Sequence, residues 1–218
     1  MSLYVYAISG SAASSFDAAG YRVEFIDLGG VFAVAATMDE RPALTEGNLR
    51  NQHDIVSAIA ARVDAVVPAR FGSLVDRAEL RRVVALRRDA ILEALALVAG
   101  REQMTIRVIG AGESTARERV ESMPMSGTRY LQQRKTAAEW TLPPGARAVV
   151  DAVRALVHAE RVVGGEGRVL ATVYHLVTRG ASVDYARRLD ACRATHAGFP
   201  FIISGPWPPF AFAPELWS

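Results

Sequence analysis

The stretch YRVEFIDLGGVFAVAAT, residues 21–37, places two runs rich in β-branched and aromatic residues on either side of Gly29 and Gly30. Such runs around a Gly-Gly pair are typical of a β-hairpin, because glycine readily adopts the positive φ that tight hairpin turns need. LYVYAI, residues 3–8, has the composition of a buried strand and precedes this hairpin. The chain is therefore predicted to begin with an antiparallel sheet.

Helical patterns alternate with further strand patterns in the rest of the first half. The helix predicted at residues 48–63 presents one apolar face, made of Leu49, Val56, Ile59, Ala60 and Val63. Residues 76–99 are predicted to form a single long helix, with Asp76 as its N-cap and Gly100 as its stop. Strands are predicted at 65–73 and 103–110. This order favours an α+β sandwich with helices on one face of a sheet.

The second half repeats a similar order of elements without repeating the sequence. Its predicted elements are helices at 128–140 and 146–160, a Gly-rich hairpin at 161–178, a helix at 182–196 and a strand at 199–204. The fold class expected is therefore α+β with two related sandwich domains.

A polar segment that contains Pro124 separates the two halves, and we place the domain boundary within residues 112–126. The expected limits are an N-terminal α+β domain at 1–122, a C-terminal α+β domain at 123–204 and a tail at 205–218. The tail is an extended Pro/aromatic segment, and we expect it to pack back on the body and brace the two domains.

Composition narrows the classes of function. The formal net charge is +2, from 25 basic and 23 acidic side chains, which gives no strong field for nucleic acid or an anionic lipid membrane. No run approaches the roughly 20 apolar residues of a membrane helix, and the single cysteine, Cys192, excludes an intramolecular disulfide. No secretory signal pattern opens the sequence. We expect a cytoplasmic protein.

One motif points to nucleotide chemistry. TIRVIGAGESTARERV takes an apolar strand into Gly110-Ala111-Gly112, as in a dinucleotide-binding turn. Thr115 occupies the position of the third glycine, however, and the region about 20 residues further on lacks the expected acidic residue. A plain turn between strand and linker is the alternative. A small nucleotide-binding enzyme that uses this turn therefore stays open as a second hypothesis.

No catalytic set or metal site is predicted. The pattern contains no G-x-S-x-G nucleophile elbow, and no two of the four histidines have the i, i+4 spacing of a helical metal site. Cys192 and His196 have that spacing, but two ligands make a weak site. His53 and His175 fit hydrogen-bonded core positions, and the arginines at 77–88 fit a solvated helix face. No catalytic residue, cofactor or metal is expected.

Five segments in collinear order resemble one family, the gas vesicle proteins GvpF and GvpL. They are LYVYAI (3–8), NLRNQHDIV (48–56), VVPARFGS (66–73), SGTRYL (126–131) and SGPWPPFAF (204–212). Together they cover nearly the whole chain, and the Trp-Pro-Pro-aromatic ending is the most specific. The family's motif residues carried over to this chain are Asn51, His53, Pro68, Arg70, Phe71, Gly72, Ser126, Gly127, Tyr130, Leu131, Gly205, Pro206, Trp207, Pro208, Pro209 and Phe210. Tyr is common in the family where Phe210 stands.

The resemblance implies a non-enzymatic accessory protein of gas vesicles, the hollow protein-walled buoyancy organelles of some bacteria and archaea. It implies two domains, each a variant of the ferredoxin-like sandwich. The partners it implies are the small hydrophobic gas vesicle shell protein, whose assembly or nucleation it would assist, and other gas vesicle accessory proteins. The surface that covers the shell protein is expected at residues 31–37 or around Arg70 and Phe71, by strand addition or apolar packing.

Overall fold

The computed structural model describes residues 2–110, 142, 144–193 and 200–216. The chain forms two compact units, Met1–Gln103 with Pro206–Ser218 (unit 1) and Met104–Gly205 (unit 2). The linker expected at 112–126, with the boundary at 122/123, and the helix expected at 128–140 lie outside the described residues. The domain limits drawn from the sequence therefore stay a prediction.

The described residues contain ten strands and five α-helices. The strands are β1 (Ser2–Ser9), β2 (Phe16–Ala18), β3 (Tyr21–Asp27), β4 (Phe32–Thr37), β5 (Val66–Pro68), β6 (Leu74–Asp76), β7 (Arg101–Ile109), β8 (Val157–Gly164), β9 (Val169–Thr178) and β10 (Phe201–Trp207). The α-helices are α1 (Glu46–Ala60), α2 (Arg77–Leu86), α3 (Arg88–Val98), α4 (Pro144–Asp151) and α5 (Ser182–Arg193), and two 3-10 helices span Arg154–Leu156 and Phe210–Phe212. None of these helices is long and apolar enough to cross a membrane.

The sheet of unit 1 is built around β1. Its strand order is β2-β3-β4-β1-β5, and β6 also pairs with β1. β1 runs antiparallel to β4 on one side and to β5 and β6 on the other. Its residues from Leu3 to Ser9 are all buried. Because alternate side chains of a strand point to opposite faces, both faces of the sheet are covered here, whereas the predicted sandwich had helices on one face.

The predicted hairpin is confirmed. β3 and β4 pair in antiparallel register from Glu24 opposite Ala35 to Asp27 opposite Phe32. Between them Gly29 and Gly30 have φ of 81° and 93°, and the Asp27 carboxylate accepts hydrogen bonds from their N–H groups at 2.9 and 3.2 Å. The Gly-Gly pair is needed because its conformation is strained for other residues.

Helix α1 covers one face of this sheet, and its N-terminus is capped by the Thr45 side chain. Its buried residues are Gln52, Ile55, Val56 and Ile59, which pack with Tyr4, Tyr6 and Val23 of the sheet. The prediction that Leu49 belongs to the buried face was wrong, since this side chain is 45% exposed. Gln52 takes the inward position instead.

The single helix predicted at 76–99 is two helices. Asp76 is the N-cap, as predicted, and accepts from the Glu79 N–H at 2.8 Å. The helix ends at Leu86, and the φ and ψ of the following Arg87, −108° and 14°, are not helical. The break follows from the apolar pattern, because Arg87 and Arg88 interrupt the stripe and each shorter helix buries its own part. Arg88 is then free to donate to the hairpin carbonyl of Gly29 at 2.5 Å.

Unit 2 contains a four-stranded sheet of order β10-β7-β9-β8, with β8 antiparallel to β9. The Gly-rich hairpin was predicted correctly, but the helix predicted at 146–160 ends at Asp151, and residues from Val157 onward form β8. Pairing with β9 overrides the helical pattern there. The last strand likewise continues through Gly205 to Trp207 instead of ending at Ser204.

A chain of hydrogen bonds joins four elements inside unit 2. Arg147 of α4 donates to Glu160 of β8 at 2.9 Å, and the other oxygen of Glu160 lies 3.0 Å from Nε2 of His175 on β9. Nδ1 of His175 lies 2.7 Å from the hydroxyl of Tyr185 on α5. A carboxylate only accepts, so we assign the imidazole proton to Nε2, and Nδ1 then accepts from Tyr185. A neutral His175 satisfies every member of this chain.

The pKa values agree with that protonation state. Burial lowers the pKa of His175 below its usual range, although Glu160 acts in the opposite direction. Burial alone would raise the pKa of Glu160, but hydrogen bonds from Arg147 and His175 outweigh it and lower this pKa. The pKa of the Tyr185 hydroxyl is raised by burial first and by Glu160 second.

We expect the free energy of unfolding to fall as the pH drops below the model-compound pKa of 6.5 for histidine. Because the folded-state pKa of His175 is depressed, the unfolded chain takes up the proton first, and acid favours unfolding. The melting temperature measured from about pH 8 to about pH 5 should decrease through this window. The variant His158→Gln, at an exposed position of β8, should keep the decrease. A melting temperature that is constant over the window would contradict the prediction.

Candidate functional site

The segment Ala69 to Ser73, which we call the Arg70 loop, interrupts the pairing along one edge of β1. β5 pairs with the end of β1 and β6 with its beginning. Between them the Ala69 N–H donates to the Tyr6 carbonyl and the Val5 N–H donates to the Ser73 carbonyl, both at 2.8 Å. The loop thus leaves and rejoins the same strand, and Arg70, Phe71 and Gly72 project from the edge of the sheet.

A buried hydrogen-bond network holds this loop. The Tyr4 hydroxyl donates to the side-chain carbonyl of Gln52 and accepts from the Gly72 N–H at 2.9 Å. The Gln52 amide donates in turn to the Ala69 carbonyl at 3.1 Å. Tyr4 and Gln52 are 1% and 7% exposed. Burial raises the pKa of Tyr4, so its hydroxyl stays protonated and can donate.

Glycine at position 72 is required by this arrangement. Its φ is 83°, and a Cβ there would lie 3.2 Å from Cδ of Arg41. Both the backbone conformation and the space therefore disfavour a side chain. Phe71 next to it lies edge-on to Tyr4, with ring centroids 6.4 Å apart.

The C-terminal segment lies against the same unit. Pro208 and Pro209 are buried, and the Ala211 N–H that follows them donates to the Gln103 side chain at 2.8 Å. The 3-10 helix Phe210–Phe212 contacts β5. Arg70 forms a salt bridge with Glu215. The described part of the tail is thus attached to unit 1, whereas the expectation that it braces two domains stays a prediction.

The tail places two aromatic rings beside α1. The Trp207 ring lies 5.0 Å from the His53 ring at 75°, and the Phe210 ring lies 6.0 Å from His53 at 22°. Trp207 and Phe210 remain 37% and 36% exposed. Leu49 precedes His53 by one helical turn on the same face of α1. We call Leu49, His53, Trp207 and Phe210 the Trp207 patch, an exposed apolar surface of unit 1.

The residues that carry the family resemblance are partly brought together. Asn51 and His53 lie on α1, Pro68 ends β5, and Gly205 and Pro206 lie in β10. Together with the Arg70 loop and the tail, most of them lie within unit 1. Ser126, Gly127, Tyr130 and Leu131 lie outside the described residues. Gln52 was missed, although its spacing of four and seven residues from Val56 and Ile59 places it on the buried stripe.

One of the two expected interaction surfaces is wrong. Residues 31–37 form β4, which lies between β3 and β1 and is hydrogen-bonded on both sides. Its residues Ala33, Val34, Ala35 and Ala36 are at most 1% exposed. An interior strand has no edge to offer to a partner. The neighbourhood of Arg70 and Phe71 remains as the expected surface.

The other candidate chemistries receive no support from the described residues. The Gly110 N–H donates to the Arg168 carbonyl at 2.9 Å, so it is not available to a phosphate group, and Ala111 and Gly112 lie outside the described residues. Among the described residues, no group of three His, Cys, Asp or Glu side chains is placed to hold a metal. His196, expected near Cys192, also lies outside the described residues.

We expect Tyr4→Phe to destabilise the protein by about 1–3 kcal/mol, because it leaves the Gly72 N–H and the Gln52 carbonyl buried without their partner. Denaturant unfolding measures this difference. Tyr21→Phe removes the same atom from a side chain that is 42% exposed and should change stability by much less. Equal effects of the two substitutions would contradict the role given to Tyr4.

Ending the chain after Ser204 should lower the melting temperature. The deletion removes Pro208, Pro209 and Leu216, which are buried, and exposes the surface of unit 1 that they cover. Thermal unfolding of the full and shortened chains measures the difference. An unchanged melting temperature would show that the tail adds nothing to the stability of unit 1.

Comparison with solved structures shows what this fold resembles. The structure matches the gas vesicle protein GvpF from an Anabaena species with a TM-score of 0.71 and 13% identity, over 98% of each chain. It matches GvpF from Microcystis aeruginosa with a TM-score of 0.69 and 12% identity, over 98% of this chain and 99% of that one. At this identity the likeness shows a common fold, a mixed α/β architecture with two antiparallel sheets.

Sequence comparison extends over the same length. No curated protein gives a significant match. The family model described as gas vesicle synthesis protein GvpL/GvpF matches residues 2–214, which includes both units, the Arg70 loop and most of the tail. With nearly the whole chain matched, the protein belongs to the GvpL/GvpF family of gas vesicle synthesis proteins.

Proposed function

We propose that this protein is a non-enzymatic accessory protein that binds the small hydrophobic shell protein of gas vesicles and assists vesicle assembly or nucleation. Membership of the GvpL/GvpF family supports a role in gas vesicle synthesis. The single observation that supports the binding role is the Trp207 patch, where Trp207, Phe210 and Leu49 expose 37%, 36% and 45% of their surface.

The patch suits a hydrophobic partner because its rings are held before binding. Trp207 follows Pro206 and precedes Pro208 and Pro209, which restrict the backbone, and both exposed rings pack against His53. Binding therefore orders few additional side-chain torsions, which lowers the entropic cost of association. Large aromatic rings also bury much apolar area per residue.

A shell subunit with apolar surface would aggregate before assembly unless another protein covered that surface. In this proposal the accessory protein acts in the cytoplasm at the growing vesicle and contacts other gas vesicle accessory proteins there. The two units are variants of the ferredoxin-like sandwich, a scaffold that presents the patch. Binding to nucleic acid or to a lipid membrane has no part in the proposal, in line with the near-balanced charge.

The test is direct binding to purified shell protein. We expect the wild type to bind it and the double variant Trp207→Ala, Phe210→Ala to bind at least about tenfold more weakly, as expected for central aromatic contacts. Pull-down followed by titration measures the affinity.

Two leucines provide a matched control. Leu49 in the patch is 45% exposed, and Leu92 on α3 is 43% exposed. Leu49→Ala should weaken binding, whereas Leu92→Ala should not. A wild-type protein that does not bind the shell protein, or equal losses at both leucines, would overturn the assignment.

A further inference from the structure

Unit 1 contains a small pocket between the sheet and α1. It is lined by Tyr6, Tyr21, Met38, Asn51 and Phe71, among eleven residues of which none is charged. Asn51 and Phe71 belong to the segments that carry the family resemblance. An uncharged lining favours an uncharged ligand, because a charged group would be desolvated there without a partner.

Tyr6, one of the lining residues, has a hydroxyl with no hydrogen-bond partner among the described residues. Tyr6 is 2% exposed, and no hydrogen bond to its hydroxyl is found among the residues that the structure describes. Tyr4 lies two residues earlier on the same face of β1, and its hydroxyl forms hydrogen bonds with Gln52 and Gly72. An unpartnered buried polar group is costly and rare in native proteins. A bound molecule that accepts a hydrogen bond would remove that cost.

The backbone is irregular at Tyr6. The register of β1 against β4 shifts between Val5 and Ala7, so that Tyr6 is an additional residue with no residue of β4 opposite. Bulges of this kind are frequent next to functional sites. Burial, followed by the neighbouring Tyr4 and Tyr21, raises the pKa of Tyr6 far above its usual range. The hydroxyl is therefore a donor at any physiological pH.

Asn51 supplies a second polar group at the rim. Its side chain is exposed, and it makes no hydrogen bond within the described ranges. A carboxamide both donates and accepts, as a peptide group does, so it can pair with the main chain of a bound segment. The neighbouring Asn48 is already used, since its amide donates to the Ala43 carbonyl at 2.9 Å.

The size of the pocket limits the groups that it can bind. It offers about 50 Å³, and one water molecule needs roughly 10–15 Å³ by the same kind of measure. This volume suits one small aliphatic side chain.

We propose that this pocket binds one aliphatic side chain of the shell protein. A backbone carbonyl beside that side chain accepts a hydrogen bond from the Tyr6 hydroxyl, and the adjacent peptide group pairs with the Asn51 carboxamide. The inference relies on the proposed function for the identity of the partner. It adds a specific anchor to the apolar contacts that the Trp207 patch offers.

The first test is Tyr6→Phe, which removes the hydroxyl and keeps the ring. We expect the affinity for purified shell protein to fall about three- to tenfold, while the melting temperature of the free protein stays equal or rises. Tyr4→Phe is the matched comparison, since that hydroxyl has partners in the chain and its loss should lower the melting temperature. A lowered melting temperature for Tyr6→Phe would show an internal partner and overturn the inference.

The second test closes the pocket. Asn51→Trp adds bulk at the rim and should weaken binding at least tenfold. Arg50→Trp adds the same bulk at the neighbouring position of α1, whose side chain is 68% exposed and does not line the pocket, and should leave binding unchanged.

The outcomes separate this inference from the proposed function. Shell protein that binds wild type, Tyr6→Phe and Asn51→Trp equally well would overturn the pocket and leave the accessory role in place. Shell protein that does not bind the wild type would overturn both. Selective loss in Tyr6→Phe and Asn51→Trp, with Arg50→Trp normal, supports both.

Discussion

The hydrogen bonds of the Tyr4 hydroxyl are the interaction on which the rest of unit 1 depends. The buried hydroxyl oxygen of Tyr4, a residue of β1, forms hydrogen bonds with Gln52 of α1 and with the backbone of Gly72. Since Gln52 also binds the Ala69 carbonyl, both ends of the Arg70 loop are held by the same pair of side chains. Losing either partner would leave buried polar groups unsatisfied, which costs more than the bond itself contributes. The loop is therefore a fixed part of the fold.

That fixed loop brings distant parts of the chain to one unit. Arg70 reaches the tail through Glu215, and Phe71 contacts Tyr4 and lines the pocket beside it. The tail in turn presents Trp207 and Phe210 against His53 of α1. Both rings are partly exposed and contact the His53 ring. This contact restricts the two rings while part of their apolar surface stays open to solvent.

The sequence predicted correctly those elements that are determined by residues within the element itself. Gly29 and Gly30 identify the hairpin because few other residues adopt their φ, and Asp76 identifies the start of α2 because its side chain caps the helix. The predictions fail where contacts with residues distant in the sequence determine the structure. Residues 157–160 continue a helical pattern, yet they form a strand because they pair with β9. The position of Gln52 on the buried stripe of α1 could be read from the sequence, but its role could not, because its partners, Tyr4 and Ala69, are 48 and 17 residues away.

Two buried hydrogen-bond networks among the described residues show how satisfied polar groups differ from unsatisfied ones. In unit 2, Arg147, Glu160, His175 and Tyr185 satisfy one another, and a neutral imidazole completes the chain. Because these four side chains satisfy one another's hydrogen bonds, they need no ligand. The buried histidine therefore has a structural role. In unit 1, Tyr4 is satisfied in the same way, whereas Tyr6, on the same face of the same strand, has no partner in the described residues. Because the two tyrosines share their environment and differ in that respect, the difference points to the position where a partner's main chain would complete the network.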